Sequence, residues 1–309
     1  MLLQVFLLCL GFVMLVKGSD WFVDGAANLA KKLGIPELIV GLTIVAMGTS
    51  MPEAAVSITS ALKKNAGITI GNVVGSNILN ILIILGITAV ITKVPIQKST
   101  LVYEIPYMLA ITMVLIVLGL TGGVIGFSEG IILWGLFLAF MIYLFVSAKK
   151  GRQDKEERSE CSISYIKCVL MILAGGGIVV AGSDIAVDAA SYIASQLGMS
   201  QRLIGLTIVA FGTSLPELVT SVSAARKGNA DIAIGNIVGS NIFNILFIIG
   251  TTALICNVPF ESRFLIDTGV AVYAGVLLWL GTVRKRELRF PCGIVMLLSY
   301  AAYTVYLMV

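Results

Sequence analysis

Histidine is absent from the 309 residues, and charged residues make up only 12% of them. Without imidazole there is no histidine general base, histidine metal ligand or histidine-activated nucleophile. That excludes zinc-site and serine-hydrolase readings. The shortage of charge excludes a soluble protein, since water-soluble domains carry about 25% charged residues. Five cysteines (Cys9, Cys161, Cys168, Cys256, Cys292) form no CxxC pair and lie mostly in apolar stretches, which reads as small core residues and not as disulfides or a metal site. The net charge of +4 is spread between hydrophobic blocks, so nucleic acid is not implied.

What is present is apolar. Hydrophobic residues make up 58% of the chain and the mean hydropathy is +1.01. At roughly 20 to 25 residues per span, the chain holds about ten helices and no soluble domain. Apolar blocks between charge and glycine or proline punctuation place spans near 2–30, 37–62, 67–91, 100–120, 125–147, 163–195, 202–225, 231–256, 264–283 and 290–308. The first block lacks a basic leader and a cleavage site and reads as a retained helix. With both termini extracellular, fifteen lysines and arginines fall in inner loops and four in outer ones (Lys63, Lys64, Arg202, Arg263). The positive-inside rule favours that orientation. It makes the one hydrophilic run, KKGRQDKEERSE at 149–160, a cytoplasmic spacer.

The chain repeats itself. GSDWFVD at 18–24 returns as GSDIAVD at 182–188, GLTIVAMGTSMPE at 41–53 as GLTIVAFGTSLPE at 205–217, and IGNVVGSNILNILIILG at 70–86 as IGNIVGSNIFNILFIIG at 234–250. The offset is 164 throughout, without a gap. This is the mark of a duplicated unit. The organisation expected is a first five-helix repeat over 1–147 with its motif at 41–86, a linker at 148–162, and a second repeat over 163–309 with its motif at 205–250. Five helices is an odd number, so the second copy enters the membrane from the opposite face. Such inverted repeats place substrate near the bilayer midplane, where the copies meet. The fold class expected is therefore an all-α membrane protein of ten transmembrane helices arranged as two inverted five-helix repeats.

A carboxylate at the bilayer centre costs at least about 2.5 to 3.5 kcal/mol, so Glu53 and Glu217, at matching positions, call for a function. Pro52 and Pro216 precede them and cannot donate to the carbonyls of Gly48 and Gly212, so each helix should break around AMGTS and AFGTS. Backbone oxygens near Ala46, Thr49, Ala210 and Thr213 are then free for another partner. Thr49 and Ser50 lie four and three residues before Glu53, near its face of the helix. Asn72, Ser76 and Asn80 draw a polar stripe at four-residue spacing, and Asn236, Ser240 and Asn244 repeat it. Gly71 with Gly75, and Gly235 with Gly239, are GxxxG pairs with a packing role. Oxygen donors without nitrogen or sulfur suit a hard cation. Calcium accepts six to eight oxygens in tolerant geometry, magnesium does not, and two glutamates neutralise one divalent ion. Sodium can use the same oxygens, so competition for them is a route to exchange.

GTSMPE with GNVVGSNILN, and GTSLPE with GNIVGSNIFN, resemble the two alpha-repeats of the calcium/cation antiporter superfamily, most closely its sodium/calcium exchanger branch, over nearly the whole chain. The resemblance implies that Glu53 and Glu217 ligate transported ions, helped by Ser50, Ser214, Ser76, Ser240, Thr49 and Thr213 and by the carbonyls of Ala46 and Ala210, with Asn80 and Asn244 at the centre. Some relatives, including potassium-dependent exchangers, carry aspartate where this chain has Asn244, which puts potassium co-transport in doubt. The resemblance also implies that the first and sixth helices slide across the others. Asp20, Asp24, Asp184 and Asp188 on those helices read as packing, capping or vestibule residues, with Lys17 placed to pair with Asp20 or Asp24.

The expected function is a sodium/calcium antiporter of the plasma or inner membrane that uses the sodium gradient to expel calcium, independent of potassium. Its partners are Na+, Ca2+ and lipid; no cofactor, nucleic acid or obligate protein partner is expected. A calcium/proton exchanger would use the same paired glutamates. A channel would need a continuous pore, and an intramembrane enzyme would need a serine–lysine or paired-aspartate arrangement that the sequence does not offer.

Overall fold

Backbone polar groups in hydrocarbon must be satisfied within their own segment, so the long apolar stretches fold as helices. A computed structural model of the chain describes residues 2–64, 66–153, 163–199 and 210–308. In chain order the helices are α1 (Leu2–Leu33), α2 (Glu37–Thr49), α3 (Met51–Leu62), α4 (Ala66–Ile91), α5 (Thr100–Gly122), α6 (Phe127–Gln153), α7 (Tyr165–Gln196), the turn α8 (Ala210–Gly212), α9 (Leu215–Arg226), α10 (Ala230–Ile255), α11 (Ser262–Val283) and α12 (Phe290–Met308). Among the described residues eight helices are long and apolar enough to cross a membrane, and α2 and α3 meet the same test together as a pair bent by 50°, a ninth crossing if the pair is one span. The expected seventh span, 202–225, lies partly outside the described residues, as does most of the 148–162 linker with Cys161. The four described cysteines are free.

The two stripe-bearing helices form the centre. α10 is buried almost all round and α4 mostly so, whereas α1, α6 and α12 expose apolar side chains along much of their length. That is the pattern of core helices ringed by lipid-facing ones. Two short antiparallel clasps close the loops: β1 (Val94–Pro95) pairs with β4 (Glu287–Leu288), and β2 (Val124–Ile125) pairs with β3 (Val258–Pro259). The whole of α5 separates β1 from β2, so the clasps sit at opposite ends of the helices.

α1 and α7 share the most extensive helix–helix interface. Glycines at seven-residue spacing bring their backbones together. A Cβ at Gly11 would lie 2.8 Å from the Gly182 carbonyl, and one at Gly175 would lie 2.8 Å from that of Gly18. Small residues permit this approach where lipid supplies no hydrophobic drive. Gly235 and Gly239 do the same for α10, whose backbone presses on Leu38 and Leu42 of α2. The residues equivalent by offset to Leu38 and Leu42, namely Arg202 and Leu206, lie outside the described residues.

Candidate functional site

The helix breaks where proline demands it. Ser50 leaves helical geometry (φ −83°, ψ 9°), and Pro52 sits in the first turn of α3; Ser214 (φ −92°, ψ 4°) and Pro216 repeat the arrangement before α9. Each glutamate therefore lies in the first turn of a helix that starts inside the protein, where the positive end of the dipole favours a carboxylate. Glu53 is 1% exposed and Glu217 is fully buried. One expectation is met differently in detail. The Gly212 carbonyl, which Pro216 cannot serve, accepts a 2.7 Å hydrogen bond from Ser183 of α7.

The predicted site residues come together from opposite halves of the chain. Ser50 donates to Glu217 Oε1 at 2.8 Å, and Ser214 donates to Glu53 Oε1 at 3.4 Å. Ser76 donates to the same Glu53 oxygen at 3.5 Å, and Thr213 also hydrogen-bonds that carboxylate. Thr49 and Ser240 flank the Glu217 carboxylate. Ser240 lies 3.3 Å from the Ala46 carbonyl and Thr49 Oγ1 lies 2.9 Å from Asn236 Oδ1. Ala210 opens the turn α8, one residue past an undescribed segment. Asn80 and Asn244 are buried one helical turn beyond Ser76 and Ser240, each at the start of a π-helical turn, Asn80–Leu85 and Asn244–Ile249. Such widened turns are rare and cluster at functional sites.

Two residues that the sequence reading passed over complete the centre. Asn77 Nδ2 donates to the Asn241 carbonyl at 3.1 Å, and Asn241 Nδ2 to the Asn77 carbonyl at 3.3 Å. Asn80 Nδ2 donates to Asn241 Oδ1, and Asn244 Nδ2 to Asn77 Oδ1, each at 3.0 Å. The signal that could have found them was their identity in both copies, 164 residues apart. The outer stripe members have a different task. Asn72 binds Ser57 and the Glu53 carbonyl, and Asn236 binds Ser221 and the Glu217 carbonyl, so they brace the broken helices.

Among the described residues ten buried side-chain oxygens lack a hydrogen-bond partner, and four of them are Glu53 Oε2, Glu217 Oε2, Asn80 Oδ1 and Asn244 Oδ1. An unsatisfied buried acceptor costs about 1 to 3 kcal/mol. All four belong to the two matching motifs, and as acceptors they suit a ligand that brings no lone pair of its own. Among the described residues no group of three or more histidine, cysteine or acidic side chains is placed to hold a metal ion.

The sequence profile of a family described as sodium/calcium exchanger protein matches residues 3–146 and again 167–309. The chain belongs to the sodium/calcium exchanger family. The sodium/calcium exchanger MaX1 of Methanosarcina acetivorans is 33% identical over 97% of both chains. The inner membrane protein YrbG of Escherichia coli is 38% identical, covering 82% of this chain and 81% of its own. A solved structure of the sodium-calcium exchanger NCX_Mj, soaked with 2.5 mM Na+ and 0.1 mM Ca2+, matches at a TM-score of 0.85 and 31% identity over 98% of each chain. This family member is a multi-pass membrane protein and a cation antiporter, not an enzyme.

The four helix aspartates stand apart from the centre. Asp20 accepts from Ser223 at 2.8 Å, and Lys227 bridges Asp20 at 3.2 Å and Asp24 at 2.8 Å. Lys227, beyond the end of α9, takes the place expected for Lys17: a cation on a neighbouring helix reaches both carboxylates at once. A cavity of about 650 Å³ opens beside this bridge, lined in part by Val16, Asp20, Val222 and Lys227. Lys63, Asp184 and Asp188 are the equivalents by offset, and no bridge joins them among the described residues.

Proposed function

We propose that this antiporter exchanges Na+ for Ca2+, using the sodium gradient to expel calcium, without potassium. The observation that carries the reading is the group of four unpartnered buried oxygens, two of them on glutamates. Their summed charge matches one calcium, and the surrounding hydroxyls of Ser50, Ser76, Ser214, Ser240, Thr49 and Thr213 add neutral oxygens suited to sodium. The carbonyls of Ala46 and Ala210 belong to the same ligand set. Asn244 is neutral, so the centre has no third charge to hold a potassium ion beside calcium.

In the proposed architecture, ten spans form two inverted five-helix repeats, 1–147 and 163–309, joined by a cytoplasmic linker, with both termini outside. The 164-residue offset, the twofold match of the family profile and the positive-inside count support it. α1 and α7 are the elements proposed to slide, and their flush glycine seam supports movement as one body.

The test is calcium uptake into proteoliposomes under an outward sodium gradient, repeated with potassium and with a proton gradient. Sodium-driven, potassium-independent uptake is expected. Uptake driven by protons and indifferent to sodium would overturn the choice of counter-ion.

A further inference from the structure

The four-asparagine ring at the centre has a direction, and two backbone carbonyls set it. A carbonyl only accepts, so the Asn241 carbonyl at 3.1 Å admits only the nitrogen end of the Asn77 amide. That leaves Asn77 Oδ1 facing Asn244, which in turn admits only the nitrogen end of Asn244. The oxygen of Asn244 is then turned away from the ring, buried and unpartnered. The same chain runs from the Asn77 carbonyl through Asn241 to Asn80, whose oxygen is also left free. Asn77 and Asn241 are 3% and 1% exposed, so both amides lie out of bulk solvent.

We infer that Asn77 and Asn241 are positioning residues that sustain cation binding by fixing which end of the Asn244 and Asn80 amides meets the ion. An amide is nearly symmetric in shape but opposite in polarity at its two ends. Released from the ring, Asn244 could turn its NH2 toward the glutamates, a donor that competes with the cation for the same carboxylates. Neither ring asparagine needs to touch an ion. The inference rests on the proposed cation site, and its test separates the two.

The experiment is calorimetric binding of Ca2+ to the purified full chain in sodium-free buffer, for wild type, Asn77→Ala, Asn244→Asp and the double variant. A carboxylate has no nitrogen end to misdirect and only accepts, so in Asn244→Asp it meets Asn77 Oδ1 as a second acceptor, a contact that Asn77→Ala relieves. Asn77→Ala is expected to weaken calcium binding by about tenfold or more, a free-energy change of about 1.4 kcal/mol. In the Asn244→Asp background the same change should leave calcium affinity unweakened or raise it, a difference that direct coupling between the two sites produces. Equal losses in both backgrounds would show Asn77 to be a packing residue and overturn the inference while leaving the cation site intact. Failure of the site itself would read differently: wild type and Glu217→Gln would bind calcium alike. Should Asn77→Ala not yield folded protein, the mirrored series of Asn241→Ala with Asn80→Asp measures the same ratio.

Discussion

Replacing Glu217 by glutamine removes one of two charges at almost constant volume. In the native site Ser50 donates to Oε1 at 2.8 Å while Oε2 has no protein partner. Glutamine can keep the Ser50 bond through its oxygen, but its NH2 then occupies the position of the free acceptor. The change therefore subtracts a unit of charge and points a donor at the ion. Breaking one side of a buried charge pair costs about 3 to 5 kcal/mol, which at about 1.4 kcal/mol per decade is a calcium affinity lower by some two to four orders of magnitude. Coulomb energy scales with the product of charges, so sodium should lose about half that free energy. The assay is sodium-driven calcium uptake in proteoliposomes together with calorimetric titration of each ion, at matched protein levels. Transport within a few-fold of wild type, or equal losses for the two ions, would refute the electrostatic account of the site.

Ser50→Ala, Ser76→Ala, Ser214→Ala and Ser240→Ala each remove a neutral oxygen, at about 0.5 to 1.5 kcal/mol; half-saturation by sodium should rise several-fold while calcium binding is partly kept, and a series in which calcium suffers most and sodium competition is unchanged would contradict this. Asn244→Asp adds a third ionisable group, so exchange should become sensitive to pH or potassium, measured as calcium flux with and without potassium; a strict potassium requirement in the wild type would overturn the charge argument. Lys227→Met removes both bridges to α1, worth about 0.2 to 1 kcal/mol each at this exposure, and should speed maleimide labelling of a cysteine placed at Val222 in the adjoining cavity; unchanged labelling would show that the bridge does not restrict access to it. Gly175→Ala should melt several degrees below Gly177→Ala, because a Cβ at Gly175 meets the Phe22 backbone nitrogen at 2.6 Å whereas one at Gly177 meets nothing within 4 Å.

The proline rule and the cost of buried charge were enough to locate the broken helices and the glutamates from sequence, because both act within a few residues of the chain. The stripe of Asn72, Ser76 and Asn80 was legible for the same reason, as a period of four. Asn77 was not, since it lies off that stripe and acquires meaning only from Asn241 on another helix. The π-helical turns that begin at Asn80 and Asn244 left no mark in composition, and a regular helix would place the next residues on a different face. Pairing of Asp20 and Asp24 with Lys227 instead of Lys17 was hidden likewise: helix spacing ranks neighbours along the chain, and packing of α1 against α9 supplied a nearer cation. Ser183 beneath the Gly212 carbonyl belongs to the same class.

Contacts in this molecule come in reciprocal pairs: Ser50 with Glu217 and Ser214 with Glu53, Asn77 with Asn241 in both directions, one clasp at each end. That is the bookkeeping of an isologous dimer, here written twice along a single polypeptide. A half-chain able to insert in either orientation would carry every partner that its inverted twin needs. For the experimenter the duplication also supplies an internal control. A substitution within the matched motifs has a twin 164 residues away that alters the same chemistry under other surroundings, as Glu53 has Glu217, so each such variant can be read against its counterpart.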